Sequence, residues 1–123
     1  MGGAVDVLGG ATAYISRSQF TFNNAAEGGG LQSDGTITTD GVVFSRNYAG
    51  VGGAIGQEEG DAVHGSATLN NNTSGFDGGG IDIESGTVQF INSKIINNTT
   101  AGAQGGGIFN DASLTLIKTR GLR

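Results

Sequence analysis

The chain has 123 residues, a formal net charge of −5, 25 glycines, and neither proline nor cysteine. One domain is the expectation at this length. The acidic balance argues against nucleic acid or an anionic membrane as partner. Missing cysteine excludes disulfides, thiolate zinc sites and thiol nucleophiles. No stretch approaches the ~20 apolar residues of a membrane-spanning helix, so direct insertion by this segment is not expected.

Taken in chain order, the elements repeat. A glycine pair followed by a small residue and an aliphatic one occurs at Gly2-Gly3-Ala4-Val5, Gly28-Gly29-Gly30-Leu31, Gly52-Gly53-Ala54-Ile55, Gly78-Gly79-Gly80-Ile81 and Gly105-Gly106-Gly107-Ile108. Each copy opens a first strand with alternating apolar pairs such as Val5/Val7 and Ile81/Ile83. A small residue (Ala11, Gly35, Gly60, Gly86) then leads into a second strand. Its alternate positions match from copy to copy: Ala13/Ile15, Ile37/Thr39, Ala62/His64, Val88/Phe90 and Leu114/Leu116. A third strand carries Phe20, Phe44, Leu69 or Ile95 and ends three residues later at Asn23, Asn47, Asn72 or Asn98. The interval from small residue to asparagine is twelve residues in all four copies. Length variation therefore falls outside it, and segments 7–10, 24–27, 73–77 and 99–104 read as loops. Period-two patterning means strand, and helical periodicity is absent.

One such unit cannot bury its apolar face alone, but stacked copies can. The pattern predicts an all-β parallel β-helix of about four and a half coils, each of 24–27 residues and three strands. The hand expected of parallel crossovers is right. The coils are 2–27, 28–51, 52–77, 78–104 and a partial 105–123, together one domain over 1–123 and a piece of a longer repeat protein. Stacked asparagines at 23, 47, 72 and 98 are expected to form a structural ladder, because an amide both donates and accepts. They also suit the left-handed conformation of a sharp corner. Leucine at position 72 is expected to cost ~1–3 kcal/mol in unpaired backbone groups.

The same residues carry a family resemblance. GGAV at 2–5 and GGAI at 52–55, each followed by Phe-x-x-Asn or an aliphatic version of it, resemble the repeats of polymorphic outer membrane proteins. GGGIFNDASLTLIKT at 105–119 is similar to repeats of large bacterial cell-surface β-helix proteins. The resemblance covers residues 2–120 and implies a right-handed, pectin-lyase-like solenoid within an exported surface protein, an adhesin or autotransporter passenger. Met1 runs straight into Gly2-Gly3, so the signal peptide and membrane barrel of a full family member are expected to lie outside this chain. After Thr119 the pattern calls for an apolar residue at 121, where glycine stands. Open strand edges at the ends would favour end-to-end self-association.

Alternation puts Asp6, Gln32, Gly56, Asp82 and Phe109 in one outward file of the first strand. Its two carboxylates are three coils apart, roughly 14 Å, whereas glycosidase pairs need ~5–9.5 Å. The next file holds Asp34, Glu58, Glu84 and Asp111 on successive coils. Like charges at that spacing would favour a cation, calcium above all. Turn chemistry at Asp34-Gly35, Glu59-Gly60 and Ser85-Gly86 explains those acids more plainly, so no metal or other cofactor is assigned. His64, the one histidine, aligns with the inward Ile15 and Phe90 and reads as a core residue. Ser18, Ser93 and Thr119 read as a polar turn file. No catalytic residue is assigned. The expected function is structural or adhesive, with a host-surface or matrix protein or glycan bound through the loops, at the cell surface or outside the cell. The alternative is a polysaccharide-acting lyase or hydrolase, which would need an acid–base cluster on adjacent coils. An ice-binding face would need a threonine array more regular than Thr36, Thr38 and Thr87 provide.

Overall fold

A computed structural model describes residues 3–101 and 105–122, and among them there is no helix. The first coil holds β1 (Val5–Val7), β2 (Thr12–Ser16), β3 (Gln19–Thr21) and β4 (Asn24–Glu27). The second holds β5 (Leu31–Ser33), β6 (Thr36–Asp40), β7 (Val43–Ser45) and β8 (Tyr48–Val51). The third holds β9 (Ile55–Gln57), β10 (Asp61–Gly65), β11 (Thr68–Asn70) and β12 (Thr73–Ser74). The fourth holds β13 (Ile81–Ile83), β14 (Thr87–Ile91), β15 (Lys94–Ile96) and β16 (Thr99–Thr100). A partial fifth adds β17 (Ile108–Asn110), β18 (Ser113–Ile117) and β19 (Arg120–Leu122).

Each strand pairs in parallel with its counterpart one coil away. The sheets are β1-β5-β9-β13-β17, β2-β6-β10-β14-β18, β3-β7-β11-β15-β19 and β4-β8-β12-β16. The register is that of the repeat. Ala13, Ile37, Ala62, Val88 and Leu114 form one inward file, and Phe20, Phe44, Leu69 and Ile95 another. Leu31, Ile37, Phe44, Ile55, Leu69, Ile81 and Phe90 are wholly buried along the axis. The fold is thus a parallel β-solenoid.

The expectation of three strands per coil is corrected to four. Segments 24–27, 73–77 and 99–104 are not simply loops, because β4, β12 and β16 begin them. Residues 102–104 lie outside the described chain. The fourth strands escape sequence reading because NAAE, YAGV, TS and TT share no apolar pattern. Backbone ladders alone define them, as in Thr73↔Tyr48 and Thr73↔Thr99.

The corners are made by left-handed residues. One file precedes the asparagines: Phe22, Arg46, Asn71 and Asn97, at φ 57°, 55°, 58° and 56°. A second file follows the second strand: Arg17, Gly41, Ser66, Asn92 and Lys118, at φ 47–67°. The left-handed residue is therefore the one before each ladder asparagine, which corrects the sequence expectation. Asparagine tolerates this region better than long side chains do. Arg17 is exposed at φ 48° in a file where Asn92 adopts the same conformation. Arg17→Asn is accordingly expected to stabilise the fold by ~0.5–1 kcal/mol, read as a higher urea midpoint.

Candidate functional site: an acidic cleft on the first sheet

The outward file of the first sheet is where the structure departs furthest from sequence reading. Alternation predicts solvated side chains there, yet Gln32 and Asp82 are 2% and 3% exposed. Gln32, Gly56 and Asp82 stack on successive coils. Gly56 has no side chain, so it leaves a notch between the other two. Glu27 and Val51, at the ends of β4 and β8, flank the notch, and Glu58 and Glu84 complete its wall. The free space is about 10 Å³, enough for one water-sized occupant.

Gln32 is held over the notch. Its Nε2 donates to Asp34 Oδ1 at 3.4 Å, while its buried Oε1 has no hydrogen-bond partner. That oxygen sits where a Cβ on Gly56 would otherwise be. Burial, followed by the charges of Glu27 and Asp34 and a side-chain hydrogen bond with Glu27, raises Glu58 to about 7. Burial, followed by Glu84, Asp77 and Asp111, raises Asp82 to about 7. Both groups are carboxyls that hold protons near neutrality, unlike ordinary surface acids.

Asp34, Glu58, Glu84 and Asp111 do run in file, each donating its backbone N–H to the coil before. Only Glu58 and Glu84 of that file line the cleft, and Glu84 and Asp111 are exposed. Among the described residues no group of three acidic or histidine side chains is disposed to hold a metal ion. Asp6 is exposed, at the far end of the file from Asp82. Glu27 was not singled out by sequence reading, and Gln32 was read only as a member of the outward file. Glu27 lies in a segment read as loop, and nothing in a single glutamine announces a buried carbonyl.

The asparagines form a continuous hydrogen-bonded file. Asn23, Asn47 and Asn72 each donate Nδ2 and backbone N–H to the Oδ1 of the next, at 2.9–3.0 Å. The second Nδ2 hydrogen of Asn47, Asn72 and Asn98 goes to the backbone oxygen of Phe20, Phe44 and Leu69 respectively. Ser93 and Thr119 form a shorter file at the next corner: Ala67 N–H donates to Ser93 Oγ, and Ser93 N–H to Thr119 Oγ1. Ser18 donates to the Ser16 carbonyl, as Ser93 and Thr119 do to those of Ile91 and Ile117. Among the described residues these hydroxyls bond backbone groups and not a carboxylate or the imidazole of His64.

Comparison of the chain with protein-family models, with curated proteins and with solved structures found no match.

His64 is fully buried, stacked on Phe90 at 4.9 Å, with Nδ1 2.8 Å from Thr39 Oγ1 and Nε2 unpartnered. Burial lowers its pKa from 6.5 to about 4. Its neutral form contributes stability that is present above pH 6.5 and is lost as pH falls through 4, up to ~3 kcal/mol. His64→Leu is expected to remove that loss, measured as urea midpoints across pH 3–7. The cleft acts with the opposite sign. Carboxyls raised to about 7 favour folding below pH ~4, and that contribution disappears as pH rises through 7. A Glu58→Gln, Asp82→Asn double variant is expected to melt higher than the parent above pH 7, with the difference shrinking toward pH 5.

Proposed function

We propose that this chain is a structural and adhesive segment of an exported bacterial cell-surface protein, of outer-membrane or autotransporter type. The observation that carries this reading is where three of the four exposed aromatics among the described residues stand; the fourth, Tyr14, is on the second sheet. Phe22, Tyr48 and Phe76 are 74%, 47% and 65% exposed. They lie at or beside the fourth sheet, the face built from segments that vary in length and composition between coils. Arg46 covers the Phe22 ring at 5.7 Å, and the Tyr48 hydroxyl reaches over Gly75. A rigid interior with an aromatic, variable outer face suits contact with a protein or glycan surface.

The test replaces Phe22, Tyr48 and Phe76 together by serine, far from the core. Binding of the labelled chain to host cells and extracellular matrix is then compared with the parent. The triple variant should fold and lose binding. Equal binding by parent and variant rejects this face, and no binding by the parent rejects adhesion.

A second reading, a fragment of a polysaccharide-acting enzyme, draws on the protonatable acids Glu58 and Asp82 on adjacent coils. The cleft between them admits one water-sized occupant rather than a sugar ring. Release of reducing or unsaturated ends from polysaccharides by the parent, and not by Asp82→Asn, would establish it.

A further inference from the structure

The notch over Gly56 combines features that turn chemistry does not explain. Asp82 is nearly fully buried, and among the described residues no cationic side chain lines the cleft beside it. Gln32 is equally buried and presents a carbonyl oxygen with no donor. An unmet buried oxygen costs ~1–3 kcal/mol, so an amide aimed into an acidic notch needs a positive or donating occupant. The available space fits one small one.

We propose that the Gly56 notch is a calcium site, in which Gln32 Oε1 and the carboxylates of Asp82 and Glu58 are the protein ligands and water completes the shell. Two carboxylates alone would not make such a site; the amide oxygen is the third ligand. Every donor is oxygen, which selects a hard cation. Spacing favours calcium over magnesium. The ligands come from three successive coils, Gln32 from the second, Glu58 from the third and Asp82 from the fourth, and donors spread along the axis suit calcium's long, flexible coordination better than magnesium's near-ideal octahedron. Calcium would therefore tie the second, third and fourth coils to one another. Glu84 and Glu27 add negative potential at the rim. The raised pKa values fit this assignment, since the cation would displace the protons that Glu58 and Asp82 otherwise keep. The site is independent of the surface-protein reading and would stiffen the solenoid wherever calcium is abundant.

The test is calorimetric titration of the full chain with calcium chloride at pH 7, repeated with magnesium chloride, alongside thermal melts. Calcium is expected to bind in the ~10⁻⁴–10⁻³ M range of extracellular calcium modules and to raise the melting temperature. Magnesium should bind at least tenfold more weakly. Binding heat should change between buffers of different ionisation enthalpy, because protons leave as calcium enters. Asp82→Asn and Gln32→Leu should each weaken calcium binding tenfold or more, while Asp61→Asn, on the second sheet, leaves it unchanged. Gly56→Ala keeps every carboxylate but fills the notch, and it too should abolish binding in a chain whose circular dichroism shows it folded. No calcium heat or melting shift in the parent overturns the proposal. So does undiminished binding in the folded Asp82→Asn or Gly56→Ala variant. Equal binding of magnesium overturns the identity of the cation.

Discussion

Asn72→Leu is expected to lower the free energy of unfolding by ~3–5 kcal/mol, more than sequence alone suggested. Leucine keeps the number and branching of the side-chain heavy atoms, so the main loss is polar. Asn72 Oδ1 accepts from both the N–H and the Nδ2 of Asn47 at 3.0 Å. Its own Nδ2 donates to Phe44 O and Asn98 Oδ1 at 3.0 and 2.9 Å. Removing the amide orphans the Asn47 N–H and the Phe44 carbonyl, both in the dry interior, at ~1–3 kcal/mol each. Total stability for a chain of this size is on the order of 6–18 kcal/mol, so the variant should unfold at a much lower urea midpoint. Asn23→Leu provides the contrast. Asn23 is half-buried in the first coil, and its side chain donates to Asn47 Oδ1 without the second bond, to a backbone oxygen, that Asn47, Asn72 and Asn98 make among the described residues. It should cost only ~1 kcal/mol. Equal losses at positions 72 and 23 would show that the file is not acting as a buried ladder.

Gly53→Ala should be comparably severe, at ~3–5 kcal/mol, for a different reason. A Cβ at position 53 would stand 2.7 Å from Thr73 O and closer still to Gly79 O. Both are backbone atoms, Gly79 O of the next coil and Thr73 O of the end of the same one, so no flexible side chain can yield. Relief requires the coils to separate, which breaks the ladder bonds from Gly53 N to Gly78 O and Ala54 N to Gly80 O, each 2.9 Å. Gly65→Ala is the control. A Cβ there meets nothing nearer than 3.7 Å and the backbone is not left-handed. Alanine should be neutral or stabilise by ~0.4–1 kcal/mol. Urea denaturation followed by circular dichroism separates the two. A Gly53→Ala midpoint matching that of Gly65→Ala would mean the glycine pairs are not close-approach points.

The glycine pairs also show how two neighbouring residues of one type meet different demands. Gly52 sits at φ 65° and forms the corner, whereas Gly53 lies against the next coil. A repeated Gly-Gly reports both demands in the sequence without saying which residue meets which.

The candidate site was only partly legible. Asp34, Glu58, Glu84 and Asp111 were recognisable as a file because they recur at one repeat position. Asp82 and Gln32 were recognisable as members of another, on either side of Gly56. Period-two alternation placed that second file in solvent. It buries instead, because the ends of β4 and β8 bring Glu27 and Val51 alongside it.

The sequence by itself determined the stacking register of the first three strands, the inward apolar files and the asparagine file. These depend on a twelve-residue interval and on alternation, both local properties repeated often enough to be read. Only the tertiary structure decided the fourth sheet, the left-handed residue before each asparagine and the buried acidic notch. A strand held by backbone bonds alone carries no side-chain signature, and burial of an outward face depends on what the rest of the coil lays beside it.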